Sequence, residues 1–369
     1  MDLVQTLGVD IGVRETGTNA AARAADAIAE AFRELGLEPR FQEFELLGYE
    51  HEEPELELDG EPVAAGPCGY GHATDGFVEG ELRFIGTFTF IPNVFDEKVF
   101  EVVNGDRTVA HLIGNPSPGG GAIPFGSPYG PQLAGVSAFL SSADADRLAE
   151  TAGVHVRLRT GGRVVPRRDR NVIAELPGQS DEAVVVGAHF DSVWRGPGTV
   201  DNATGVEGLR RIAERLAGGT HPRALRFVAF AAEEIGLLGS RFYATDEKIR
   251  GRLDSVVGMV NLDCIGHGSK LMLMVGPDEL RDRAVETARE LGIVERYGYD
   301  AIPPGAGTDH YYFAAFKIPA VSVSFMPYAE YHLPEERLEL VDARRMADAV
   351  ELATRLVESQ LADPIRPKA

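Results

Sequence analysis

Imidazoles and carboxylates recur in this sequence just where an apolar run ends. Val184-Val185-Val186-Gly187-Ala188 delivers His189, Phe190, Asp191 and Ser192, and Leu225 to Phe230 is soon followed by Glu233-Glu234. Val256 to Leu262 delivers Asp263, and Val321 to Phe325 is followed shortly by Tyr331-His332. Asp201 stands in Gly198-Thr199-Val200-Asp201-Asn202-Ala203-Thr204-Gly205, a loop that leads into a helical pattern. Each residue taken alone has a bland role: Asp201 as a helix cap, His189 as a hydrogen-bonded strand end, Glu233-Glu234 as a solvated face, Asp263 as a turn residue. Converging on one place, they would be a costly accumulation of buried charge. A divalent cation neutralises it. Imidazole and carboxylate suit zinc, and two ions about 3.5–4 Å apart need a bridging carboxylate with terminal ligands on each side. Five ligands with one carboxylate shared would give each ion three protein contacts and leave positions open for water and substrate. The spare glutamate of the Glu233-Glu234 pair is then the natural general base, because adjacent residues in an extended turn point in different directions.

Positioning such a set requires elements that end together. From Asn171 onward, apolar strand-like runs alternate with helical patterns, as in a βαβ sheet. The expected strands are Asn171 to Glu175, Ala183 to Ala188, Ala224 to Phe230, Ser255 to Leu262, Lys270 to Val275 and Ala320 to Phe325, with helices over 204–217, 238–248, 278–291, 308–315 and 342–360. Continuous apolar character fits strands covered on both faces, hence an α/β fold with a mostly parallel central sheet flanked by helices. The carboxyl edge of such a sheet is where ligands bind. Upstream, residues 16–36 read as a capped amphipathic helix closing on Leu35-Gly36. Between 52 and 160 the texture changes to short runs such as Glu55 to Leu58, Glu81 to Ile85 and Thr108 to Ile113, separated by turn-rich stretches at Pro116 to Gly121 and Gly126 to Pro131. This pattern predicts a smaller β-rich inserted module. The expected organisation is an N-terminal helix region over 1–51 that belongs to the catalytic domain, the insert over 52–160, and the rest of the catalytic domain over 161–369.

Composition bounds the partners. The 369 residues hold 36 Lys plus Arg against 57 Asp plus Glu, a formal charge of −21. That balance argues against nucleic-acid or anionic membrane-surface partners, which need a cationic footprint. Lysine is scarce, being confined to Lys98, Lys248, Lys270, Lys317 and Lys368; a high-salt habitat and a high-GC genome both give this pattern. The two cysteines, Cys68 and Cys264, are far apart and suggest neither a disulfide framework nor a metal-type pair. No basic leader and no apolar run of about 20 residues is read, so the expectation is a cytoplasmic enzyme.

At its site residues the sequence resembles the co-catalytic zinc peptidases that include bacterial leucyl aminopeptidases and glutamate carboxypeptidase II. The matching motifs are His189-Phe190-Asp191-Ser192, Val200 to Gly205, Glu233 to Ser240, Asn261-Leu262-Asp263, Thr308-Asp309-His310 and Tyr331-His332, in the family order and spanning roughly residues 165–360. The resemblance implies a zinc exopeptidase fold and two zinc ions, other divalent ions being possible. His189 and Asp263 would bind one ion, Glu234 and His332 the other, and Asp201 would bridge them. Glu233 would take a proton from the metal-bound water, whose pKa zinc lowers, and pass it to the leaving amine. Asp191 would orient His189. Tyr331 is similar to the phenol that steadies the oxyanion, with a core tyrosine as the alternative. Asp309 and His310 would be neighbours of the ligands or touch substrate, with Thr308 in the family's serine place. After His332 the sequence departs from the family's pattern: Leu333 follows the histidine, and Glu336 stands at an acidic position one methylene longer. Residues 52–160 resemble the protease-associated insert of some relatives, partly through Gly135 to Ser141.

The implied activity is release of N-terminal residues from a peptide substrate. A metal-dependent carboxypeptidase or another amide hydrolase of the same fold is the alternative. Aminoacylase-type relatives carry a dimerisation domain between the Glu-Glu pair and the last histidine, but only 98 positions separate Glu234 from His332 here. A receptor-like relative would have lost ligands, and none is missing; a glutaminyl cyclase would use one zinc. Substrate-binding residues are not assigned, although Arg195 in Trp194-Arg195-Gly196-Pro197 offers a cation beside the first motif. Oligomeric state is not read from the sequence.

Overall fold

The computed structural model of the chain describes residues 2–91, 95–123 and 135–366; the turn-rich stretch Gly126 to Pro131 lies outside them. A short helix α1 (Leu3–Gln5) runs through a π-helical turn (Thr6–Ile11) and a loop to α2 (Asn19–Glu34). Thr18 caps α2 by accepting from Ala21 N at 3.2 Å, and the helix turns Ala21, Ala25, Ile28 and Phe32 inward. Strand β1 (Arg40–His51) follows. The chain then leaves to form a second sheet from β2 (Glu55–Leu58), β3 (Glu61–Val63), β4 (Gly66–Pro67), β5 (Val78–Ile91), β6 (Phe95–Asn104), β7 (Arg107–Gly114), β8 (Ser137–Leu140) and β9 (His155–Arg159), with α3 (Ser142–Ala149) before β9. It returns as β10 (Gly162–Leu176), which pairs antiparallel with β1 from Arg40↔Ile173 to His51↔Gly162.

The remaining elements alternate. They are β11 (Ala183–His189), α4 (Gly205–Leu216), β12 (Ala224–Phe230), α5 (Leu238–Ile249), β13 (Val256–Leu262), β14 (Lys270–Gly276), α6 (Asp278–Glu290), α7 (Ile293–Tyr297), β15 (Tyr299–Ile302), α8 (His310–Ala315), β16 (Ala320–Met326) and α9 (Ala343–Ala362). The main sheet has the order β1-β10-β12-β11-β13-β16-β14-β15. Its central strands β12, β11, β13 and β16 are mutually parallel. β10 and β14 are antiparallel to their central neighbours, so the sheet is mixed rather than purely parallel. The links explain this. Seven residues join β13 to β14 and six join β10 to β11, too few for the crossover of a dozen or more that a parallel step needs.

Both faces of the main sheet are covered. One face packs Val184, Val186, Phe227 and Val323 under α2, α4, α6 and α9, and the other packs Val185, Val228 and Phe230 against Tyr243 of α5 and Phe313 of α8. Every residue of β11, β13 and β16 is buried, which accounts for their largely apolar sequences, with Asn261, Ser322 and Ser324 as buried polar exceptions. The second sheet, ordered β3-β2-β9-β5-β6-β7-β8-β4, closes over its own core of Leu82, Phe100, Val102, Leu112, Val156 and Leu158. Both cysteines are buried and free. Among the described residues, no helix is long and apolar enough to cross a membrane.

Candidate metal centre

Because β12, β11, β13 and β16 run parallel side by side, their carboxyl ends reach one edge together. His189 is the last residue of β11, and Asp263 follows directly on β13. Glu233 and Glu234 lie in the turn after β12, while His332 comes six positions beyond β16 with φ of 63°. Asp201 sits in a kinked turn (Thr199–Thr204) ahead of α4, with non-helical backbone at Asp201 and Asn202. That turn is fastened to the end of β13: Asn202 Nδ2 donates to Leu262 O (2.9 Å), and Asn202 Oδ1 accepts from Cys264 N (3.2 Å) and Gly205 N (2.9 Å).

The five expected ligands meet. Asp201 Oδ1 lies 2.9 Å from His189 Nε2, and its other oxygen lies 3.3 Å from His332 Nε2. His189 Nε2 is 3.5 Å from Asp263 Oδ1, and His332 Nε2 is 3.2 Å from Glu234 Oε2. The trio His189, Glu233 and Asp263, and the trio His189, Asp201 and Glu234, each bring ligand atoms within 4.8 Å of one another. Glu234 Oε1 is buried and accepts no hydrogen bond among the described residues. Buried oxygens without donors cost free energy that a cation recovers, so the donor set fits a metal.

Electrostatics point the same way. Burial pushes the Glu234 carboxyl up to about 7, against the pull of His332, and holds Glu233 well above the usual carboxylate range. For His332, burial pulls down, but Glu234 and Asp201 overcome it and raise the imidazole to about 10. His189 is likewise held well above its ordinary value, Glu233 and Asp263 outweighing burial. Ligand atoms of this kind bind a cation in competition with protons.

Four further residues hold the cluster. Asp191 accepts from Glu233 N (3.0 Å), Glu234 N (3.3 Å) and Thr16 Oγ1 (2.9 Å), and its Oδ1 lies 3.5 Å from His189 Nδ1. One carboxylate thus sets both the histidine and the backbone of the glutamate pair. Glu336 Oε1 accepts from Val200 N (2.9 Å) and Asp201 N (2.7 Å), and Oε2 from Tyr328 OH (3.2 Å) and His332 N (3.4 Å). The longer side chain at this position therefore still ties the Asp201 turn to the His332 loop. Arg14 is fully buried and donates to the carbonyls of Phe190, Pro197 and Gly198, with Gly198 at 2.7 Å. Burial lowers it to about 10, and it remains a fixed cation behind the acidic cluster. Sequence reading missed Arg14 and Thr16 and had no role for Glu336.

Among the other expected residues, Tyr331 stacks on His332 (3.8 Å between ring centroids) and lines a pocket with His189, Asp201 and Glu233. Asp309 is buried within electrostatic reach of His189 and Asp263, and burial raises it to about 7. His310 turns to its own loop, sharing a 2.6 Å hydrogen bond with Thr308 Oγ1. Cys264, for which the sequence suggested neither a disulfide nor a metal-type pair, donates to Asp263 Oδ1 (3.3 Å) and lines the same pocket as Tyr331, together with Met272, Met274 and Met326. Arg195 is ion-paired with Glu53 and lies over the Trp194 ring.

An α/β sheet that gathers imidazoles and carboxylates at its carboxyl edge has the donor chemistry of a metal centre. The family can be stated as well: residues 171–357 match the model of Peptidase family M28, and the chain belongs to that family. It is 30% identical over 199 residues to aminopeptidase YwaD of Bacillus subtilis (strain 168), covering 51% of this chain and 43% of that protein. It is 38% identical over 134 residues to leucine aminopeptidase 2 of Trichophyton equinum, covering 35% and 27%. The chain thus spans less than half the length of these curated relatives. Among solved structures it is similar to an aminopeptidase from Aneurinibacillus sp. strain AM-1, with a TM-score of 0.73, 21% identity and coverage of 99% and 94%. A zinc aminopeptidase from Bacillus subtilis, BSAP, gives a TM-score of 0.71 at 22% identity over 97% and 93%. Both share the fold.

Proposed function

We propose that the chain is a two-zinc exopeptidase that releases N-terminal residues from peptides. The observation that carries this reading is the placement of Asp201, one oxygen toward each histidine (2.9 and 3.3 Å), the arrangement a carboxylate shared by two ions requires. His189 and Asp263 would hold one ion, and Glu234 and His332 the other. When bound, the ions supply Lewis-acid polarisation of a carbonyl and lower the pKa of water. Glu233 would accept a proton at its carboxylate and return it to the leaving amine, while Asp191 holds its backbone N–H and that of Glu234. Tyr331, beside His332, would donate to the developing oxyanion. Asp309 would stabilise the charge of His189 from behind, and His310 would hold the loop through Thr308. Membership of Peptidase family M28 and the aminopeptidase names of its relatives support the direction of cleavage. The division into 1–51, 52–160 and 161–369 belongs to the same proposal.

Digestion of a mixed peptide library by the zinc-reconstituted protein, read by mass spectrometry, tests it. Sequential loss of N-terminal residues is expected. C-terminal trimming would make the chain a carboxypeptidase, and an intact library would remove the peptidase reading.

A further inference from the structure

Two clefts beside the metal ligand Glu234 share Tyr70 as a lining residue. Glu234 and Ile235 line a cleft with Tyr49, Tyr70 and Trp194. Tyr70 also borders a larger groove of about 1000 Å³, whose apolar walls include Phe44, Leu46, Leu238 and Phe242. Phe44 and Phe242 stack at 5.1 Å, and Leu47, also lining the groove, is 62% exposed. In a chain of net charge −21 this groove collects Arg167, Arg168 and Arg241 against one acid, Glu45. Arg168 is paired with Glu45 at 2.6 Å.

Arg167 is held in place yet under-used. Its Nε is buried with no hydrogen-bond partner, and Nη1 makes one long bond to Gly17 O (3.4 Å). It has no ion pair among the described residues, although Glu15 is within electrostatic reach. Two glycines make room for its stem: a Cβ on Gly48 would sit 2.4 Å from Arg167 Cδ, and one on Gly17 would sit 2.7 Å from Arg167 Cβ. Gly17 adjoins Thr16, which donates to the same Asp191 that holds Glu234. The guanidinium is thus anchored to the frame of the metal centre.

We infer that this groove takes the carboxyl-terminal part of a short apolar peptide, with Arg167 receiving its terminal carboxylate. The inference rests on the aminopeptidase reading, which leaves the far end of the substrate pointing away from the ions. Tyr70 borders both clefts, the apolar walls suit apolar side chains, and a planar fork with an unmet Nε donor matches a carboxylate.

Steady-state kinetics of an apolar tetrapeptide with a free carboxyl terminus, against its C-terminal amide, test this on the unaltered protein. The amide should show a KM about tenfold higher at similar kcat, the loss of one charge-assisted hydrogen bond. In Arg167→Ala the two KM values should converge, and in Arg167→Lys the difference should return only in part, because a point charge lacks the fork. Equal KM values on the unaltered protein, with both peptides trimmed from the N-terminus, would overturn the inference and leave the aminopeptidase reading standing. Trimming of neither from that end would remove the reading itself, and the inference with it. Self-association by ultracentrifugation, with no acid preference, would give the groove to a second copy and likewise overturn the inference.

Discussion

The two eight-stranded sheets treat charge in opposite ways. In the sheet of residues 55–159, charged side chains pair in solvent: Arg157 with Glu57 (2.6 Å) and Glu79 (2.8 Å), and Lys98 with Asp146 (2.6 Å). Its interior is an apolar cluster around Phe100 and Leu158. In the main sheet the carboxyl edge buries His189, Asp201, Glu234, Asp263 and His332, leaving Glu234 Oε1 without a donor among the described residues. Surface pairs of the first kind contribute little to stability; buried acceptors of the second kind are costly unless a ligand meets them. The difference separates a site from decoration more sharply than charge density does.

The largest effect should come from the charged edge. Glu233→Gln should lower turnover by about 10²- to 10⁴-fold, the range for loss of a general acid/base, while zinc content by atomic emission stays near that of the unaltered protein. Unchanged turnover would remove Glu233 from proton transfer. Loss of zinc would instead make it a ligand, and the contrast between Glu233 and Glu234 would disappear.

The ligands of that edge were legible because β11 and β13 are buried along their whole length, β11 ending in His189 and β13 running directly into Asp263. An apolar run broken by His189-Phe190-Asp191 or by Asp263 shows where the sheet meets its ligand. Strand β1 was not legible: exposed and buried residues follow one another irregularly from Arg40 to His51, so no period of two emerges. Arg14 was equally hidden. Its partners near the site, Phe190, Pro197 and Gly198, lie more than 170 residues away and are backbone carbonyls, which no side-chain pattern announces. Glu336 stood out by position, but its role depends on Val200 and Asp201, over 130 residues earlier. The antiparallel course of β14 was readable in principle from its seven-residue link to β13, since chain length alone forbids the crossover.

Phe100→Ala tests whether the two regions are separable. Phe100 is fully buried in the core of the second sheet and lies 5.2 Å from Phe84. Its truncation should cost that sheet about 3–5 kcal/mol, seen as an earlier thermal transition, with zinc content at room temperature unchanged. An unshifted transition would mean that Phe100 does not support the fold of this sheet. Zinc loss in the folded variant would show the sheets to be coupled, and a route exists: Leu333, next to His332, packs on Cys68, Ile113 and Phe139 of the second sheet.

Glu97 sharpens the comparison from the other side, because it is a buried acid in the sheet that otherwise keeps its acids in water. It is 7% exposed and has no ion pair among the described residues, and burial pushes its carboxyl from the ordinary 4.5 up to about 7. Below pH 4.5 both folded and unfolded chains hold the proton, so Glu97 costs nothing. Between pH 4.5 and 7 the unfolded chain releases it first, so stability falls as pH rises, by up to about 3 kcal/mol once the folded form has also ionised. Glu97→Gln should therefore raise the thermal midpoint of this sheet at pH 8 and leave it nearly unchanged at pH 4. The same difference at both pH values would mean that packing, not charge, distinguishes the variant. A penalty that grows with pH would mark Glu97 as a lone acid stabilised only by its proton. At the main sheet edge each acid instead has histidines and other carboxylates beside it.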